Sequence, residues 1–115
     1  MSICHNKAKL LGSSVIKAGE TLGLSRGDIA EIIGLDPSDI PDEGIDRESE
    51  SGRSAAMLIL LYRDLFSILG GDDAAITHWM HTENRHLKGI PAVKIRTRDG
   101  LEAVRQYTAF FSRAV

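Results

Sequence analysis

The sequence predicts an all-α protein, and three observations carry that expectation. Hydrophobic residues make up 43% of the 115 residues while aromatics make up only 5%. Leu, Ile and Ala recur at helical spacing in several windows, and Gly, Pro, Asp, Ser and Asn fall where helices start and stop. An interior of aliphatic helix contacts follows, large enough for one sizeable core or for a small core beside a second helical piece.

The first helix is expected from Ser14 to Leu24, where Val15, Ile16, Ala18, Leu22 and Leu24 keep roughly helical spacing and Gly23 is placed to end it. Ser25 with Asp28 three positions later makes a shortened capping box before Ile29, Ala30, Ile32 and Ile33, and Gly34 stops that helix. Asp36, Pro37 and Asp39 restart the chain, because Asp caps, Pro suits the first helical position and a second acid complements the helix dipole. Residues 1–45 thus have the outline of a helix-turn-helix. The stretch PDEGIDRESESGRS, residues 41–54, is acidic and rich in Gly, Ser and Pro, and residues 46–54 are read as a linker or loop. A second helical domain is expected over 55–115. Its first helix is apolar on nearly every face from Ala55 to Leu61 and then presents Leu65, Ile68 and Leu69 on one side, the pattern of a central bundle helix or an oligomer contact.

Gly70 and Gly71 end that helix, and Asp72 or Asp73 caps the next one, which runs through Ile76 and Trp79. It ends around Thr82 to Asn84, where the Asn side chain can bond nearby backbone. Leu87, the one apolar residue between Thr82 and Lys88, is expected to plug the core. Gly89 offers positive φ, Pro91 opens a short helix over Ala92 to Ile95, and Asp99 with Glu102 is read as the cap of the last helix. Leu101, Val104, Thr108 and Phe111 fall on one stripe of it. Phe110 and Phe111 are adjacent, so one helix cannot turn both toward the same core, and at least one should be exposed.

The formal net charge of −2 hides an asymmetry: residues 1–50 carry five Lys/Arg against ten Asp/Glu, and residues 51–115 carry nine against six. An acidic first half argues against uniform phosphate binding, so a DNA contact would need a local basic patch. The recognition-helix position, DPSDIP at 36–41, holds two carboxylates and no Lys or Arg, which makes it a poor major-groove reader. Lys7, Lys9, Lys17 and Arg26 are the remaining candidates for phosphate contact, with dimerisation or partner contact as the other use of this region. Cys4 is alone and no apolar run is long enough to span a bilayer, so a soluble cytoplasmic protein is expected. His78, His81 and His86 cluster without a fourth ligand beyond Glu83, Ser13, Ser14, Ser25 and Cys4 have no paired base at a diagnostic spacing, and no phosphate-binding glycine loop is present. No enzyme activity, metal or cofactor is expected.

The ordered series Trp79, Met80, Asn84, Leu87, Gly89, Pro91, Gly100 and Val104 resembles the toxin-binding domain of the Xre/MbcA/ParS antitoxins. Met80 stands where that family usually has leucine, and Glu83 replaces a proline that commonly precedes the asparagine. With the helix from Ala55 included, the resemblance covers roughly residues 53–115. It implies an antitoxin of a type II toxin-antitoxin system, with an N-terminal Xre-like helix-turn-helix that can repress its own promoter, often as a dimer. The toxin it implies is RES or ParT-like, one that degrades NAD or transfers ADP-ribose from it, and inhibition would come from covering the NAD site. On that reading the contacts would be basic and apolar side chains: Arg85, Lys88, Arg96, Arg98, Arg105 and Arg113 for charge, Tyr107, Phe110 and Phe111 for contact area, and Val115 through its carboxylate. The alternative is a stand-alone helix-turn-helix regulator whose C-terminal domain only dimerises, and it would call for a basic recognition helix.

Overall fold

The computed structural model describes residues 3–36 and 44–114, in which six α-helices and no strand are found. Helix α1 spans Ile3–Thr21, α2 Arg26–Ile33, α3 Glu50–Ile68, α4 Asp73–Met80, α5 Pro91–Lys94 and α6 Arg98–Ala114. The all-α expectation holds. Helix α1 begins at Ile3 and not at Ser14, because the run of Ala, Lys and Leu before Gly12 favours helix although its apolar pattern is weak.

Gly23, with φ 85°, turns the chain out of α1. The Ser25 and Asp28 capping box is present: the Ser25 hydroxyl accepts from the Asp28 amide at 3.1 Å and the Asp28 carboxylate accepts from the Ser25 amide at 3.1 Å. Gly34 closes α2 in the left-handed conformation. The restart expected at Asp36, Pro37 and Asp39 falls mostly on residues 37–41, outside the described residues.

Helix α3 starts at Glu50, inside the stretch expected as a linker. Ser49 is the reason: its hydroxyl accepts from the Gly52 amide at 2.9 Å and donates to the Asp46 carbonyl at 2.6 Å, so a serine that reads as loop composition is a helix cap. Ile45 is buried and holds this turn on the core. Helix α3 is the central helix, flanked by α1 on one side and α6 on the other. Its buried residues Ala55, Leu58, Leu61 and Leu65 meet Val15, Leu22 and Ile29 from α1 and α2, and Ile76, Met80, Leu101 and Val104 from α4 and α6, in one cluster. Each fully buried leucine contributes about 1.5–3 kcal/mol to that cluster. Asp72, not Asp73, caps α4, with its carboxylate accepting from the Ala75 amide at 3.2 Å. The Thr77 hydroxyl donates to the Thr21 carbonyl at 2.8 Å and so pins α4 to the end of α1. No single described helix is long and apolar enough to cross a membrane.

Candidate functional site

The segment after α4 is built by one asparagine. The Asn84 side-chain oxygen accepts from the amides of His86 at 2.9 Å and Leu87 at 3.1 Å, while its backbone pairs with Gly89 in an isolated antiparallel bridge. That closes a tight loop, and Leu87 drops into the core as expected. The positive φ falls on Lys88, at 59°, and not on Gly89. Gly89 pairs with Asn84 through its backbone N–H and C=O, and the left-handed residue comes one position earlier. Pro91 is the first residue of α5 and is buried.

The cap of α6 differs from the expected Asp99 and Glu102 pair. The Thr97 hydroxyl accepts from the Gly100 amide at 3.0 Å, and Glu102 instead lies 3.8 Å from Arg98. Gly100 is required by space: a Cβ there would run into the carbonyl of Lys94 at the end of α5. Thus α5 and α6 meet backbone to backbone, and this fixes the direction in which α6 leaves the loop.

Along α6, Leu101, Val104 and Thr108 are buried, and the stripe leaves the core at Phe111, which is 41% exposed beside Phe110 at 65%. The two rings pack edge to face with centroids 5.3 Å apart. Phe111 also meets Tyr107 at 4.9 Å, and Tyr107 lies between Trp79 at 6.4 Å and His86 at 6.0 Å. A ladder of rings therefore climbs from the half-buried Trp79 to the exposed end of α6. Such contacts add about 0.5–1.5 kcal/mol per pair beyond area, enough to hold exposed rings in place.

The six cationic candidates divide into two groups. Arg96 is bidentate across to α2, with one nitrogen 2.8 Å from Asp28 and the other on Glu31. Arg98 reaches Glu50 at 2.6 Å, and Arg105 reaches Asp64 at 2.8 Å, where the buried Thr108 hydroxyl also lies within 3.2 Å. These three tie α6 and its approach to α2 and α3. The Asp28 carboxyl is held below its ordinary range, first by the Ser25 backbone N–H and then by the Arg96 guanidinium, whose own pKa is raised in return by Asp28 and Glu31. Arg85, Lys88 and Arg113 are exposed and make no ion pair among the described residues. Val115 lies outside the described residues.

Sequence reasoning missed Asp64, Asp28 and Glu31 as the anchors of the arginines. Asp64 had a signal, since it is the one acid between Ala55 and Leu69 in an otherwise apolar helix. The histidines are placed apart in role: His81 lies 3.2 Å from the Gly23 carbonyl, His78 contacts Thr82, and His86 stacks on Tyr107. No group of three or more potential metal ligands exists among the described residues. In the N-terminal part, Lys9 and Lys17 on α1 and Arg26 on α2 are exposed, while the side chain of Lys7 and residues 37–41 of the recognition position lie outside what is described.

A loop closed by Asn84, a proline-started α5 and a glycine-seated α6 are features of a small helical scaffold presenting one helix end. Residues 63–107 match the family model described as the antitoxin Xre/MbcA/ParS C-terminal toxin-binding domain. This segment belongs to that family of toxin-binding domains. A search of curated proteins finds no match to the chain. Within the toxin-binding domain, the matched residues include the scaffold from Trp79 through Val104 and stop at Tyr107, just before the two exposed phenylalanines.

Proposed function

We propose that the chain neutralises a NAD-consuming toxin of the RES or ParT-like kind by laying the exposed end of α6 over the mouth of the toxin's NAD site. The observation that carries this reading is the ring ladder: Phe110 and Phe111 are presented to solvent above Tyr107, which itself stacks on Trp79 and His86. Exposed, pre-ordered aromatic rings are what a binding surface needs for high contact area at low entropic cost. Arg85, Lys88 and Arg113 supply charge without an ion pair, so the favoured contacts among the ten candidates are these three cations with Tyr107, Phe110 and Phe111, and Val115 stays a candidate outside the described residues. Arg96, Arg98 and Arg105 act through the scaffold.

The test is co-expression with the product of the reading frame beside this gene, which this reading expects to be the toxin. Removing α6 is uninformative, because Leu101 and Val104 belong to the core. The double variant Phe110→Ala/Phe111→Ala keeps the core and removes only the exposed rings. It is expected to fold with unchanged helicity and to lose both protection of cells against the toxin and inhibition of the toxin's NAD consumption. Full protection by the double variant refutes the assignment of the contact to the end of α6. A gel shift on the upstream DNA, with and without toxin, tests autoregulation through Lys9, Lys17 and Arg26; no shift in either arm removes it.

A further inference from the structure

Three histidines lie between Thr77 and Leu87, and two of them are engaged by hydrogen bonds, His81 with the Gly23 carbonyl and His78 with the Thr82 hydroxyl. His86 is different. Its exposed imidazole makes no hydrogen bond or ion pair among the described residues, and its contact is the Tyr107 ring, 6.0 Å away between centroids and inclined by 27°. The backbone beneath it is held on both sides. The Asn84 side-chain oxygen accepts from the His86 amide at 2.9 Å, and Leu87, the next residue, is buried in the core. A side chain on a backbone already fixed gives up only its own rotamer freedom when it stacks. From Tyr107 the ring contacts continue to Phe111 at 4.9 Å and from there to Phe110 at 5.3 Å. Tyr107 has a second support in Trp79, which packs against the core. His86 is the support that comes from the loop, and it can be removed with the core intact.

We infer that His86 is a positioning residue for the toxin contact: by stacking on Tyr107 it holds the ring on which Phe111 and Phe110 rest, and so sets how long the toxin stays bound. This rests on the contact proposed for the end of α6. A Tyr107 ring free to leave its rotamer would let Phe111 and Phe110 move with it, and a partner would then have to order all three rings on binding. Phenylalanine at position 86 can stack as histidine does, whereas alanine cannot. Losing one aromatic pair corresponds to about a two- to tenfold change in an equilibrium. Between variants of one interface such changes fall mainly on the dissociation rate.

The experiment measures dissociation of the full chain from the purified product of the neighbouring reading frame by biolayer interferometry, with circular dichroism confirming the fold of each variant. His86→Ala is expected to keep its helicity and to dissociate about two- to tenfold faster than the parent, and His86→Phe to restore the parent rate. In a Tyr107→Ala background, His86→Ala is expected to add nothing, because no ring is left to hold. His86→Ala that dissociates like the parent overturns the inference. So does His86→Phe that dissociates like His86→Ala, which would make the imidazole nitrogens a direct contact, and so does a full effect of His86→Ala in the Tyr107→Ala background. Phe110→Ala/Phe111→Ala separates this inference from the reading beneath it. If that variant loses binding while His86→Ala keeps the parent rate, the positioning role fails alone. If that variant dissociates like the parent, or the parent does not bind this product, the contact at the end of α6 fails and the role of His86 falls with it.

Discussion

Arg105 and Asp64 allow the scaffold and the binding surface to be separated by measurement. The pair joins α6 to the central α3 at 2.8 Å, with the Arg105 side chain 23% and the Asp64 side chain 13% exposed. It is neither a solvated surface pair, worth about 0.2–1 kcal/mol, nor a fully buried one, whose breaking costs about 3–5 kcal/mol. Asp64→Ala leaves the guanidinium without a partner but within reach of water. The Thr108 hydroxyl is not orphaned, because the Arg105 carbonyl at 3.1 Å accepts its proton when the carboxylate is gone. About 2 kcal/mol is the expected loss, between those two limits and within the range for charged hydrogen bonds. For a chain of this size that lowers Tm by about 8 °C.

The assay is a double-mutant cycle read by thermal or urea unfolding. Asp64→Ala, Arg105→Ala and the double variant should show a coupling of about 1–2 kcal/mol, with the double variant little worse than either single one. Both single variants should still protect against the toxin below their melting temperatures. Additive losses, or a loss under about 0.5 kcal/mol for Asp64→Ala, refute the clamp. Arg105→Ala that abolishes protection at unchanged Tm returns Arg105 to the toxin contact.

Gly100→Ala drives a methyl group into the Lys94 carbonyl and is expected to cost about 1–3 kcal/mol by overpacking, seen as a lowered urea midpoint; an unchanged midpoint would show that α5 and α6 can separate freely. The Asp28 carboxyl has a folded pKa below its unfolded value, so its stabilisation is present above the ordinary aspartate range and is lost as pH falls below about 4 and through the folded pKa. Asp28→Asn should therefore flatten part of the acid-side decline in unfolding midpoint, and an identical pH profile would refute that contribution. Phe110→Ala/Phe111→Ala, tested above for protection, should shift stability by no more than about 0.5 kcal/mol because both rings are exposed; a larger drop would make the ladder a structural element.

Much of the scaffold was legible because each device is local. Ser25 with Asp28, Gly34, Asn84 and Pro91 act within four residues of themselves, and the structure uses all four as the sequence suggests. The misreadings come from two physical causes. At Ser49 and Thr97 a short hydroxyl capped a helix inside a stretch whose composition read as loop or whose nearby acids looked like better caps. At Arg96, Arg98 and Arg105 the partners lie 68, 48 and 41 residues away along the chain, so no spacing rule can tell a bound arginine from a free one.

That second cause bears directly on how a binding surface is recognised. Six cations and three aromatic residues looked equivalent in the sequence, yet the fold commits three arginines to Asp28, Glu31, Glu50 and Asp64. An arginine already held by carboxylates would have to break those contacts before meeting a partner, which offsets much of what the new contact gives. Phe110 and Phe111 face no such competition: they are exposed, and neither their contact with each other nor that of Phe111 with Tyr107 has to break for a partner to cover them. The side chains with the fewest internal obligations and the firmest support are therefore the ones on which the toxin contact is expected to rest. In this chain both conditions are met together at the C-terminal end of α6.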